Sequence, residues 1–304
     1  MAMCLEQPTN DFLDRYHRYG DQILARLVKH AVCLSWVDVK SEPDGDGGKE
    51  SDYSPQAFAV SAFVVSIRGI WFLVTAGHIL KDLQSRLSSG RRILKSRLFA
   101  GLTSTPSSES IPFNLGDAPQ WYICEDGMDY AIIPFRPAFV NPLIADGVIA
   151  LNKIHWTNYP DNNGEYYLLG FPTQAQKLSI TSSGDTGNVN IQVGCPLLPV
   201  FPVSDPPEAL KQKHERFYAK VPFAKGMVDD PNVPLTDIDG MSGGPIFVLK
   251  WIDDSNIESW VFAVQSSWLK SSRILAACPI LPLTNAIEKS IDEYLKNTNE
   301  YTTS

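Results

Sequence analysis

Between His30 and Pro282 the sequence alternates short apolar segments with glycine, proline, asparagine and aspartate. The 22 prolines and 20 glycines interrupt these segments before they reach the length of an ordinary helix. Short strands separated by turn signals at regular spacing predict an all-β barrel or sandwich. With 304 residues, the chain is long enough for two such units. Typical segments are IWFLVTA, YAIIPF, EYYLLGF, GPIFVLKW and SWVFAVQSSW.

The two ends of the chain differ from this pattern. Apolar residues recur at helical spacing between Asp11 and Lys29, and again between Thr284 and Leu295. The sequence VNPLIAD, at 140–146, interrupts the strand pattern and is the candidate linker. The predicted parts are an N-terminal helical extension (1–29), a first β-barrel (30–140), a linker (141–154), a second β-barrel (155–282), and a C-terminal helix and tail (283–304).

Composition and charge exclude several classes of protein. The chain carries a formal net charge of −8, whereas nucleic-acid binding requires clustered Lys and Arg. No apolar run approaches the roughly 20 residues of a membrane-spanning helix, and the N-terminal sequence is too polar for a signal peptide. The five cysteines lack the spacing of a zinc site or a disulfide framework. We therefore expect a cytoplasmic protein with reduced thiols, and neither nucleic acid nor a membrane as its partner.

Three strand-like segments each place a reactive side chain at one end. His78 follows the apolar run in WFLVTAGHIL, Asp129 precedes the run in GMDYAIIPF, and Ser242 stands in the glycine cluster of DGMSGGPIFV. A serine hydroxyl becomes a nucleophile when an imidazole takes its proton and a carboxylate orients that imidazole. The glycines allow a sharp turn that would point the N–H groups of Gly240 and Ser242 at one spot, where an oxyanion could be held.

Other residues of the same types are weaker candidates. Asp117 and Asp126 could each take the place of Asp129, although the sequence DYAII favours Asp129 at the entrance of a strand. Cys195 could be a rival nucleophile, but no histidine signature accompanies it. The acidic, glycine-rich segment 44–50 lacks the glycine and the closing glutamate that a calcium loop needs. We therefore predict no metal ion and no other cofactor.

The three segments resemble the signatures of the chymotrypsin-like (trypsin-fold) serine peptidases, T-A-[AG]-H, D-[IYL]-A and G-x-S-G-G-P, and stand in the same order. The sequence Leu169–Pro172 also resembles a turn at the start of the second barrel in bacterial members. The resemblance covers roughly Val28 to Leu295. The resemblance is to bacterial cytosolic members of the family, because the sequence has no disulfide framework. In addition, Met241 stands where the digestive enzymes have an Asp that pairs with a newly cut N-terminus.

This resemblance implies a fold and a role for each site residue. The fold would be two six-stranded antiparallel β-barrels with the active site in the cleft between them. His78 would act as general base and then acid, Asp129 would orient it, and Ser242 would form an acyl-enzyme. The N–H groups of Gly240 and Ser242 would hold the oxyanion. The substrate would be a protein or peptide that binds as an added β-strand along the cleft edge.

Specificity is less clearly indicated. In the family, the residue six positions before the nucleophile lies at the base of the S1 pocket. In this sequence that residue is Thr236, and Asp237 is the next residue. The pocket wall would include Gln265, Ser266 and Ser267, and it contains no histidine, which argues against the members that prefer Glu or Gln. We predict a neutral, small to medium-sized residue before the cleaved bond, with a basic residue as the alternative.

Two alternatives to a constitutively active endopeptidase stay open. A non-hydrolytic peptide-binding adaptor would keep the fold, and its mark would be a broken triad. A latent peptidase would be switched on by a regulatory protein partner at the N-terminal helix or the Ser41–Pro55 loop, as in a bacterial stress or antiphage effector. Alternatively, the helix is scaffold packed on the protein's own barrel, which we favour because it runs without a linker into the first strand.

Overall fold

A computed structural model describes residues 10–40, 55–100, 110–157, 164–181, 188–222, 235–253 and 256–302. The segment 44–50 and all of the Ser41–Pro55 loop except Pro55 lie outside these residues. None of the described helices is both long enough and apolar enough to span a membrane. The α-helices in the described ranges are α1 (Asn10–Leu27), α2 (Gly77–Ser88), α3 (Pro137–Ala145) and α4 (Ile280–Thr302).

The N-terminal unit is a seven-stranded antiparallel sheet. Its strands are β1 (Ala31–Lys40), β2 (Gln56–Ile67), β3 (Ile70–Thr75), β4 (Arg91–Ala100), β5 (Ile111–Pro112), β6 (Trp121–Glu125) and β7 (Met128–Pro134). They are ordered β5-β4-β1-β2-β3-β7-β6. The turn between β2 and β3 is Arg68–Gly69, and both residues have positive φ (54° and 81°), as tight hairpins require. Helix α2 covers one face of this sheet through its buried Ile79, Leu80 and Leu83.

The C-terminal unit is a closed six-stranded barrel ordered β11-β12-β15-β14-β13-β8, beside a separate hairpin of β9 and β10. All the strand pairs of this unit are antiparallel. The strands are β8 (Glu165–Leu169), β9 (Gln176–Thr181), β10 (Asn188–Val193), β11 (Leu197–Pro202), β12 (Phe217–Lys220), β13 (Pro245–Trp251), β14 (Ile257–Leu269) and β15 (Ile274–Pro279).

The prediction of two six-stranded barrels is confirmed for the C-terminal unit only. In the described part of the N-terminal unit, the sheet has seven strands, and its end strands β5 and β6 are not paired with each other. Strand β5 is only two residues long, and Pro112 has no N–H to donate to a further strand.

The segment predicted as a linker, 141–154, is built into the N-terminal unit. It contains the second half of α3, with Leu143 fully buried, and Leu151 forms a parallel bridge with Val65. The predicted C-terminal helix is present but begins at Ile280, before Pro282. Proline is tolerated there because the first N–H groups of a helix have no intrahelical acceptor.

Helix α1 packs on the C-terminal barrel, although it precedes the N-terminal sheet in the chain. The Phe12 ring lies 6.1 Å from that of Tyr167 and 5.2 Å from that of Phe201, between centroids. The Arg15 side chain also forms an ion pair with the Glu165 carboxylate. These contacts favour the scaffold role of the helix, because its apolar face is already covered by the protein itself.

Removing residues 1–29 is expected to lower the melting temperature by about 10 °C or more. The deletion exposes the surface that the buried Phe12, Ile23 and Leu27 cover, and each such side chain contributes about 1.5–3 kcal/mol. Differential scanning calorimetry measures the change. The control is Asp14→Ala, which alters an exposed residue of the same helix and should leave the melting temperature nearly unchanged. An unchanged melting temperature in the deletion would contradict the scaffold role.

Candidate active site

His78 lies in the first turn of α2, directly after the buried end of β3. The first N–H groups of a helix lack an acceptor within the helix. The N–H of His78 donates instead to Oδ1 of Asp129 at 2.7 Å. The ring Nδ1 of His78 lies 2.7 Å from Oδ2 of the same carboxylate. Two hydrogen bonds therefore hold the backbone and the ring of this histidine against Asp129.

Asp129 is almost fully buried at the start of β7, and Ser266 Oγ donates a further hydrogen bond to its Oδ2 at 2.5 Å. Burial alone would raise the pKa of the carboxyl, but the bonds from His78 and Ser266 outweigh it and lower the pKa. For His78, burial lowers the imidazole pKa, whereas the hydrogen bond and charge of Asp129 raise it above 6.5 overall. A charged carboxylate accepts only, so it places the imidazole proton on Nδ1 and leaves Nε2 available as a base.

The two alternative carboxylates lie elsewhere. Asp126 has φ of 55° at the turn between β6 and β7, and its half-exposed carboxylate pairs with Lys213 at 3.2 Å. The Asp117 carboxylate accepts a hydrogen bond from Asn114 Nδ2 at 2.7 Å. Among these three aspartates, all within the described residues, the one bonded to His78 is Asp129.

The turn that carries Ser242 depends on glycine at two positions. Gly240 and Gly243 have φ of +90° and +87°, in the left-handed region that other residues rarely adopt. A Cβ on Gly243 would overlap Thr75 Oγ1 and lie 2.9 Å from Ala76 N. Because Thr75 and Ala76 directly precede α2, this close approach brings the Ser242 turn to the start of the helix that carries His78.

The two peptide groups that carry the N–H of Gly240 and the N–H of Ser242 are held in fixed orientations. The Asp239 carbonyl accepts from the Thr173 N–H at 2.7 Å, and the Met241 carbonyl accepts from the Gly244 N–H at 2.8 Å. In a trans peptide the N–H points opposite to the C=O, so these bonds also orient the N–H groups of Gly240 and Ser242. Within the described residues, neither of these two N–H groups has a hydrogen-bond acceptor. Both are therefore available to an oxyanion.

Ser242 Oγ lies 3.4 Å from the carbonyl oxygen of Ser266, the same residue whose hydroxyl binds Asp129. No hydrogen bond joins Ser242 Oγ to the His78 ring in the part of the chain that is described. A bond between nucleophile and base is often long in a free enzyme and shortens when substrate binds. His78 and Asp129 are thus hydrogen-bonded directly, and Ser242 is linked to Asp129 through contacts of both residues with Ser266.

Thr236 and Asp237, which were predicted for the base of the S1 pocket, have other partners. Thr236 is exposed, and its N–H and hydroxyl each form a 3.0 Å hydrogen bond with the Gln174 side chain. Asp237 is buried, and its carboxylate forms an ion pair with Lys270. A carboxylate that is already paired is a poor receptor for a basic substrate residue.

The three residues predicted for the pocket wall, Gln265 to Ser267, have different hydrogen-bond partners. Gln265 is buried, its Nε2 donates to the Ser267 carbonyl at 3.3 Å, and its Oε1 has no partner within the described chain. The hydroxyl of Ser266 binds Asp129. Ser267 Oγ lies 3.3 Å from Nη2 of Arg216.

Three contacts that position the site residues were not predicted from the sequence. Besides the bonds of Thr173 and Ser266, the buried Ser61 of β2 donates to the Gly240 carbonyl at 2.9 Å and accepts from the Phe171 N–H at 2.8 Å. A serine inside the apolar run FAVSAFVV was a signal for such a buried polar bond. Nothing in the local sequence indicated its two partners, which are both more than 100 residues away.

Cys195 does not behave as a rival nucleophile. Burial raises the pKa of its thiol, so that the unreactive protonated form prevails near neutral pH. Cys195 is a free thiol, as are the other described cysteines, Cys33, Cys124 and Cys278.

Comparison with known proteins gives matches at the level of structure only. No family model matches the sequence, and no curated protein matches it. Protease Anisep from Arthrobacter nicotinovorans is similar over 83% of this chain and 90% of its own, with 15% identity and a TM-score of 0.42. Catalytically inactive tobacco etch virus protease complexed with substrate is similar over 86% of this chain and 85% of its own, with 12% identity and a TM-score of 0.36. Both of these similar structures are proteases.

Proposed function

We propose that this protein is a serine endopeptidase that hydrolyses peptide bonds of protein substrates through an acyl-enzyme. The observation that carries the proposal is the paired hydrogen bonding of His78 to the buried carboxylate of Asp129. Beside this pair, a glycine turn presents Ser242 together with two oriented N–H groups that have no acceptor in the described chain. This combination of base, orienting carboxylate, nucleophile and oxyanion donors is what acyl transfer requires.

In the first half of the reaction, Ser242 Oγ attacks the carbonyl carbon of the substrate while His78 Nε2 takes the hydroxyl proton. The N–H groups of Gly240 and Ser242 stabilise the negative charge on the carbonyl oxygen. Asp129 stabilises the imidazolium that forms. The C–N bond then breaks, and His78 returns the proton to the leaving amine. In the second half, His78 deprotonates a water molecule that attacks the acyl carbon and releases Ser242.

The open edge of β14 is the proposed place for the substrate backbone. Strand β13 pairs with β14 only as far as Val264, whereas β15 accompanies β14 to Leu269. At Ser266 and Ser267, one edge of β14 is therefore not paired with any described strand, directly beside the site. An extended peptide could add there as a further strand.

The alternative functions are less well supported by the same contacts. A non-hydrolytic adaptor would have no need for a buried Asp129–His78 pair or for free N–H groups at Gly240 and Ser242. A partner-activated enzyme remains an alternative proposal, but the apolar face of α1 is occupied by the protein's own barrel. The proposed cytoplasmic location and bacterial origin rest on sequence alone.

Labelling with a fluorophosphonate probe tests the proposed function. We expect the purified protein to be labelled covalently, because an activated Ser242 displaces fluoride from phosphorus. Labelling only after cell extract is added would instead indicate activation by a partner. Absence of labelling with and without extract would contradict the peptidase and favour the adaptor. A gel with the Ser242→Ala protein as control shows whether the labelled residue is Ser242.

Activity is expected to rise with pH as the imidazolium of His78 loses a proton and becomes a neutral imidazole. Because Asp129 holds the imidazole pKa above 6.5, the midpoint of kcat/KM against pH should lie above 6.5. Below the midpoint the ring is imidazolium and cannot act as a base. The control His214→Gln changes an exposed histidine and should keep the same midpoint. A flat profile between about pH 5 and 9 would rule out a histidine base.

A further inference from the structure

Arg216 lies beside the proposed site and, among the described residues, has no carboxylate within ion-pair distance. It directly precedes β12, and its Nη2 makes a 3.3 Å hydrogen bond to Ser267 Oγ. Its Nε is buried and has no acceptor in the part of the chain that is described. Arg216 is half-buried, and a half-buried guanidinium without an ion-pair partner among the described residues is suited to receive an anion.

Ser267 connects Arg216 to the catalytic residues. Its hydroxyl lies 3.4 Å from Ser266 Oγ, which in turn donates to the Asp129 carboxylate. Strand β15 lies between β12 and β14, since Phe217, the residue after Arg216, pairs with Ala277 and Ser267 pairs with Ala276. The Arg216 side chain therefore crosses β15 to reach Ser267, and its guanidinium lies beside the Ser267 side chain.

The carboxylate predicted for the S1 pocket, that of Asp237, does not neutralise the charge of Arg216. The Asp237 carboxylate is buried against Lys270. The chain as a whole carries a formal net charge of −8, yet none of the ion pairs between described residues includes Arg216. Beside the Asp129–His78 pair, the site therefore presents a guanidinium that has no ion-pair partner among the described residues, rather than the carboxylate that a basic substrate would need.

We propose that Arg216 binds the carboxylate of an Asp or Glu side chain of the substrate, close to the cleaved bond. This inference rests on the proposed function and names its substrate class. A substrate strand on the edge of β14 directs alternate side chains toward the barrel, and the small Ser267 leaves room for one of them to reach the guanidinium. The planar guanidinium can donate two parallel hydrogen bonds to a carboxylate. The acidic preference differs from the neutral or basic residue predicted from the sequence.

Cleavage of a proteome-derived peptide library, read by mass spectrometry, tests the inference. We expect Asp and Glu to be enriched at one fixed position near the cleaved bond. Only sites far from the peptide ends are counted, so that a chain-terminal carboxylate is not scored. Two synthetic peptides that differ only as Glu and Gln at that position should then differ about 10- to 100-fold in kcat/KM.

The ratio of the two kcat/KM values is the readout for the variants. Arg216→Gln should bring the ratio to about one, and Arg216→Glu should favour a peptide with Lys at that position. The control Arg136→Gln changes an exposed arginine at the start of α3 and should keep the wild-type ratio. If Arg216→Gln does not fold, the kcat/KM ratio of the wild type is measured at increasing salt concentration instead. The ratio should then fall toward one, because salt weakens an ion pair.

Two results would overturn the inference while leaving the peptidase intact. One is cleavage of the library without any acidic enrichment, and the other is an Arg216→Gln protein that keeps the Glu preference. A protein that neither cleaves the library nor takes the fluorophosphonate label refutes the proposed function, and the inference falls with it. The label therefore separates the two kinds of failure.

Discussion

The Ser242→Ala protein is expected to fold normally and to hydrolyse peptides more slowly than the wild type, by a factor on the order of 10⁶ in kcat. The substitution removes the oxygen that forms the acyl-enzyme, and neither the His78–Asp129 pair nor the oxyanion donors can replace it. Its cost in stability should be small, because the hydrogen bond that the Ser242 side chain makes in the described chain is the long 3.4 Å contact to the Ser266 carbonyl. Hydrolysis of a fluorogenic peptide library and a thermal melt measure the two quantities.

The matched control is Ser290→Ala, which removes an exposed hydroxyl on α4. It should keep wild-type activity and stability. Equal turnover by Ser242→Ala and the wild type would refute the assignment of the nucleophile and, with it, the proposed mechanism.

The Asp129→Asn protein is expected to lose a factor on the order of 10⁴ in kcat. The amide can still face the His78 N–H with its oxygen, but its NH₂ group then meets Nδ1 and favours the imidazole tautomer that carries the proton on Nε2. That tautomer cannot accept the proton of Ser242. The substitution also removes the charge that stabilises the imidazolium.

Asp126→Asn is the control for this prediction, because it changes the half-exposed neighbour that pairs with Lys213. We expect it to retain nearly full activity in steady-state kinetics. If instead Asp126→Asn lost activity and Asp129→Asn did not, the orienting carboxylate would be misidentified.

The candidate catalytic residues could be proposed from the sequence because each stands in a short pattern at the end of a strand. Local periodicity likewise predicted α1 and α4, and the short segments predicted the strands of the C-terminal barrel. The residue types that acyl transfer requires, together with the resemblance of the three segments to peptidase signatures, led to His78, Asp129 and Ser242 as the candidates. Among the three candidate aspartates, strand context already favoured Asp129 over Asp117 and Asp126.

The contacts that set the environment of these residues were not predictable in the same way. Ser266 reaches Asp129 across 137 residues of sequence, Arg216 reaches Ser267 across 51, and Arg15 reaches Glu165 across 150. The pairing of Asp237 with Lys270 also follows from how strands and loops are placed, as does the seven-stranded sheet of the described N-terminal residues, where a barrel was expected. Such contacts depend on strand register and on the packing of one unit against the other, and periodicity within a segment carries no information about either.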